Sequence, residues 1–119
     1  MNAHELVSNL KGFTGTEHYY RHNTLLLTDG AKFLAEKAGA FWLIDLIFSY
    51  SSCAWFKDET FLVCKIKVTD NRAMVALEDG NDNVYMEQFI EYTDFPLKEY
   101  RLFIVLGKCG FVVMLPGEY

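Results

Sequence analysis

Apolar positions recur at helical spacing in the first half of the chain and alternate in the second half. Asn2 precedes Ala3, Leu6, Val7 and Leu10, which share one helical face, and Glu5 stands three residues after Asn2 as in a capping box. This predicts a short amphipathic helix ending near Gly12. Gly12 and Gly15 bracket a turn from which Phe13 plugs into the core, and the polar, aromatic segment from Thr16 to Asn23 reads as irregular or a single turn. After the apolar run Thr24 to Leu27, Thr28-Asp29-Gly30 is a helix start, with the Asp29 carboxylate placed to accept from the first-turn N–H groups. A helix from Gly30 to about Ala38 follows. Beyond Gly39 the pattern resumes from Phe41 to Tyr50 with apolar residues all the way round, which predicts a buried central helix.

Past Ser51-Ser52 the period changes to two. From Thr60 to Thr69, Leu62, Cys64, Ile66 and Val68 share one face against Lys65 and Lys67, the pattern of a half-buried strand. Asp70-Asn71-Arg72 turns into a second strand, Ala73 to Glu78, and the loop Asp79 to Asn83 leads to a third, Val84 to Tyr92. Tyr100 to Leu106, apolar on both faces, predicts a central strand, and Phe111 to Leu115 a last one. Helices first and hairpin-linked strands afterwards give one α+β domain over residues 1–119, with the N-terminal helices packed on one face of an antiparallel sheet of about five strands.

Composition narrows the function classes. The 119 residues are 51% hydrophobic and 16% aromatic, as in a globular chain with a Phe-rich core or an aromatic surface patch. A net charge of -5 disfavours direct binding to nucleic acid, which draws its affinity from a basic footprint, and suits a basic protein partner, including a nucleic-acid-binding one. Cys53, Cys64 and Cys109 are scattered, which predicts reduced thiols in the cytoplasm rather than a disulfide frame or zinc site. No signal peptide is expected at the N-terminus. The longest apolar tract, Ala38 to Phe48, is about half of the roughly 20 residues a span needs and contains Asp45, so no membrane association is expected.

Candidate chemistry centres on Asp45. Leu34, Ala38, Phe41, Asp45 and Phe48 fall on one helical stripe, which points the carboxylate among apolar neighbours. An unpaired buried carboxylate costs several kcal/mol, more than the roughly 1.5–3 kcal/mol that one buried Phe or Leu returns. Asp45 therefore needs Arg21 or His22 as a partner, with Tyr19 and Tyr20 next, and the cluster of His18, Tyr20, Arg21, His22 and Asp45 is expected to tether the histidine segment to the central helix. His18 and His22 also have the spacing of two ligands on a helical face, but no H-E-x-x-H accompanies them, and neither a metal site nor a cofactor is assigned. Cys64 reads as a small core residue, and Asp79 to Asn83 as a hairpin loop rather than a calcium loop. Trp55 and Phe56, beside Asp58 and Glu59, are candidates for a dimer or partner surface, whereas Trp42 fills the core.

The run Phe13 to His22 (FTGTEHYYRH) followed by Leu27 to Asp45 (LTDGAKFLAEKAGAFWLID) resembles a family of small uncharacterised bacterial proteins, a domain of unknown function often met on plasmids, prophages and other mobile elements. The likeness covers roughly the whole chain and is tightest in the N-terminal half. That family has no established activity and carries over no catalytic residue. What the resemblance implies is a setting: an accessory protein of mobile DNA, where small acidic regulatory or anti-defence proteins are common.

These expectations combine into a non-enzymatic interaction protein that binds a protein partner through acidic and aromatic surface, a second copy of itself being one candidate. The alternative is a small enzyme or ligand-binding protein in which Arg21 holds an anionic group while His22 and Asp45 move a proton.

Overall fold

Asn2 caps the first helix, α1 (Ala3–Leu10), its side-chain oxygen accepting from the Glu5 N–H at 2.8 Å. The structure, a computed structural model, describes residues 2–119. A hairpin follows, β1 (Tyr19–His22) and β2 (Leu25–Thr28), reversed at Asn23 with φ 56°, a conformation that Asn tolerates better than most residues. Thr28 caps α2 (Asp29–Lys37) by accepting from the Ala31 N–H, and Gly39 at φ 59° separates α2 from α3 (Phe41–Tyr50). A short α4 (Ala54–Lys57) precedes five strands: β3 (Phe61–Thr69), β4 (Arg72–Glu78), β5 (Val84–Ile90), β6 (Glu99–Gly107) and β7 (Gly110–Met114). Asp70 and Asn71 both have positive φ, the backbone of a two-residue hairpin turn between β3 and β4. A final 3-10 turn spans Pro116–Glu118.

All seven strands form one mixed sheet in the order β1-β2-β7-β6-β3-β4-β5. The expected five antiparallel strands are thus corrected to seven, with β2 and β7 parallel. The missed pair lies where an irregular segment and a lead-in to a helix were expected. β2 is a four-residue apolar run, too short for its period to reveal a strand, and its partner in β7 lies far along the chain. β6 holds the centre of the sheet, as its two apolar faces predict.

The four helices cover one face of the sheet. Leu25, Leu27, Leu62, Cys64, Ile66, Val75, Leu102 and Ile104 point into that layer and are buried with Leu34, Leu43, Ile44 and Ile47 from the helices. Among the described residues no helix lies over the opposite face. α3 departs from expectation: its buried residues are Leu43, Ile44, Leu46 and Ile47, so the stripe of Phe41, Asp45 and Phe48 is the outward one. Phe56 is also corrected. It is fully buried and packs edge-on against Phe111 at 4.9 Å, so it belongs to the core and not to a partner surface. No helix among the described residues is long and apolar enough to cross a membrane.

Phe56→Ala is expected to cost about 3–5 kcal/mol, the range for deleting a buried aromatic ring. Urea unfolding followed by tryptophan fluorescence reads it; a loss under about 1 kcal/mol would mean that Phe56 is not buried in this way.

Candidate functional site

Strand alternation decides which residues of β1 meet the helices. Tyr20 and His22 stand opposite Leu27 and Leu25 and share their helix-facing side, which leaves Tyr19 and Arg21 on the open face. His22 reaches α3: its ring lies 5.5 Å from that of Phe41, and Nε2 is 2.7 Å from Asp45 Oδ1. The Asp45 side chain is 59% exposed, so the carboxylate that seemed to demand a partner is already hydrated. An exposed pair of this kind contributes roughly 0–1 kcal/mol, enough to orient β1 on α3 but not to store a buried charge.

The expected five-residue cluster is divided among three places. Arg21 is on the far side of the sheet from Asp45, and His22 meets Asp45. His18 and Tyr20 gather instead around Asp29. Its carboxylate accepts from the Glu17 N–H at 2.9 Å and lies 3.9 Å from His18 Nδ1. Thr16 Oγ1 accepts from the Asp29 N–H at 2.9 Å and donates to the His18 carbonyl. The Lys32 ammonium sits 4.1 Å above the centre of the Tyr20 ring, a cation–π contact. Tyr20, Asp29 and Lys32, with Phe13, Phe33 and Glu36, border a shallow depression of 290 Å³. His18 precedes β1 and faces Asp29, whereas His22 ends β1 and meets Asp45, so the two histidines do not share one helical face as a pair of ligands. No group of three metal-ligating side chains gathers among the described residues.

Asp29 was expected to cap its own helix. Thr28 fills that position, freeing the Asp29 carboxylate to hold the Thr16–His18 segment. The Glu17 N–H bond, and lesser bonds from Tyr20 and Thr16, hold the Asp29 carboxyl below its usual range against the opposing effect of desolvation. The same contact, seen from Tyr20, raises the phenol. A second carboxylate escaped the sequence reading altogether. Glu118 accepts from Thr28 Oγ1 at 2.6 Å, from the Gly30 N–H at 3.0 Å and from the Leu115 N–H at 3.0 Å, placing a negative charge at the N-terminus of α2. A Cβ at position 30 would lie 2.5 Å from Glu118 Oε1 and 2.6 Å from Leu115 Cδ1, so any residue larger than glycine displaces one of these side chains.

The aromatic surface expected around α4 is occupied by its own chain. Trp55 stacks on Tyr85 at 5.0 Å, and the Tyr85 hydroxyl donates to Glu59, which pushes the phenol up to about 12. Asp58 remains exposed beside it. Cys64 is buried, and burial pushes its thiol up to about 12, out of the range of a reactive thiolate.

The open face carries a different set. Phe61, Phe103 and Tyr119 pack edge-on with ring centres 5.0–5.5 Å apart. Beside them Lys65 stands directly opposite Arg101, and Lys67 opposite Glu99. A depression of 540 Å³ runs between them and is bounded by Tyr100 and Pro116. Lys65 is joined to the buried Glu78 at 2.9 Å. The sequence signal for this face was the alternation of Lys65 and Lys67 with core residues in β3.

Residues 4–119 match a family profile described as "Family of unknown function (DUF6876)". A solved structure described as "Crystal structure of the protein of unknown function from Enterococcus faecalis" is similar at a TM-score of 0.58 and 16% identity, over 81% of this chain and 90% of that one, a likeness of fold alone. No curated protein matches the sequence.

Asp29→Asn is expected to flatten the acid limb of the stability curve. A carboxyl held low in the folded state contributes stability that is fully present above its unfolded value of about 4 and is lost as pH falls through the lower folded value. Urea midpoints from pH 6 down to about pH 2 test this; an acid limb as steep in the variant as in wild type would contradict the assignment. His22→Ala is expected to cost under about 1 kcal/mol at neutral pH.

Proposed function

For a chain that belongs to the DUF6876 family of unknown function, we propose a non-enzymatic interaction module whose working surface is the helix-free face of the sheet. One observation carries the reading: in a chain of net charge -5, this face gathers Arg21, Lys65, Lys67, Arg72 and Arg101 against Glu78, Glu87 and Glu99. Lys65 is already met by Glu78 at 2.9 Å, which leaves the charge of Arg101 opposite it for carboxylates of a partner, and these fix the register of docking. Phe103 and Tyr119 supply apolar contact beside the cations, the mixture of aromatic and Arg side chains from which protein interfaces draw most of their energy. The partner is thus a protein with an acidic docking surface, rather than the basic one suggested by net charge alone. The mobile-element and cytoplasmic setting belongs to the same proposal, in which such a chain acts as an accessory or inhibitor protein by occupying its partner.

The second reading, a small enzyme, is favoured by the His22–Asp45 pair alone. Arg21 stands on the opposite side of the sheet from that pair, so the three residues cannot act on one ligand.

Capture from host lysate is expected to fall about tenfold or more for the double variant Lys67→Glu, Arg101→Glu, and to survive His22→Ala and Asp45→Asn. Quantitative mass spectrometry of the captured protein reads the difference. Retention by the charge-reversed variant with loss in His22→Ala would contradict the proposal.

A further inference from the structure

The outer edge of the sheet is β5, and its residues 86–90 are blunted only by the single charge of Glu87, the irregularity of the ladder being confined to the Val84 end. Natural edge strands avoid pairing with other chains by means of Lys and other charges, Pro, bulges, a short length or a covering element. β5 has seven residues, VYMEQFI, with Glu87 as its one charge and neither Lys nor Pro. The loop before it is folded on itself: Asp79 accepts from the Asn81 and Asn83 N–H groups and from the Asn83 side chain. Beyond the Trp55–Tyr85 stack and the bond from Tyr50 to Gln88, both on the helix side, the strand leaves Val84 and Phe89 exposed at 47% and 55%.

We propose that β5 pairs with β5 of a second copy of this chain, antiparallel about a two-fold axis at Gln88, to make one continuous sheet through the dimer. The register follows from two observations. The ladder between β4 and β5 shifts at Leu77/Glu78, opposite the Val84–Met86 stretch, so the regular part of the edge is residues 86–90, and its midpoint is Gln88. Centring on Gln88 also sets Glu87 against Phe89 of the second copy, whereas centring on Glu87 sets two carboxylates directly opposite. On the helix side this register pairs Met86 with Ile90, both half-buried in the single chain. On the open face the exposed Phe89, with Met74 beside it on β4, packs against the stem of Glu87 of the second copy. The contact is isologous and closed, so it ends at two copies rather than running on into a fibre. It leaves Lys65, Lys67 and Arg101 free, so that dimerisation and the proposed partner surface stand or fall separately.

Sedimentation equilibrium of wild type and Phe89→Lys tests the proposal. Wild type is expected at twice the chain mass, and Phe89→Lys at the chain mass with an unchanged far-ultraviolet circular dichroism spectrum. A mixture of Glu87→Cys and Phe89→Cys chains, both in a Cys109→Ser background, is expected to form a disulfide-linked pair on oxidation faster than either variant alone, and this holds as a test even if Phe89→Lys misfolds. A wild type that stays monomeric at every soluble concentration, a dimer undiminished in Phe89→Lys, or crosslinking no faster in the mixture would each overturn it.

Discussion

The parallel pairing of β2 with β7 is the contact on which the rest of the molecule depends. Leu26 and Leu27 stand in register with Val112 and Val113, joining the first third of the chain to its end. The closure entropy of so long a loop grows only slowly with length, and burying Leu25, Leu27 and Val113 offsets it. Everything N-terminal is hung from this pair: β1 adds to β2, and α2 starts where β2 stops. Glu118 then fastens the seam by accepting from Thr28, Gly30 and Leu115. The His22–Asp45 and Asp29 contacts follow from that placement rather than cause it.

The same seam gives the molecule two unlike sides. All helices lie on one face, and their acidic residues are locally satisfied, Asp29 by the Thr16–His18 segment and Asp45 by His22. The other face is formed by strands and the C-terminal Tyr119, so the backbone positions of its cations are fixed by the ladder while their long side chains keep rotamer freedom. Rigid elements of this kind present a docking surface at low entropic cost. A family without known activity and a structural relative alike in fold alone leave chemistry of the surface as the ground for a functional reading.

Strands β3 to β7 were legible because a period of two exposes them, and the tight turn at Asp70-Asn71 has its own signature. β1 and β2 were not, since a four-residue apolar run has no readable period and its partner is remote. α3 shows a different limit. A helix apolar all round offers no contrast from which to choose the buried face, and Leu43, Ile44 and Ile47, rather than the stripe containing Asp45, face the core. The His22–Asp45 contact is present, but the burial cost invoked for it is not. The misplacement of Arg21 has a single cause: in a strand, adjacent residues point to opposite faces, and a segment read as irregular gave no parity to apply.

The account turns on which side of the sheet meets the partner. Hydroxyl-radical footprinting of side chains, with and without the captured partner, measures this directly. Protection of Tyr19, Phe103 and Tyr119 with His22 and Phe41 unchanged is the result the account predicts. Protection of His22 and Phe41 with the open-face aromatics unchanged would contradict it.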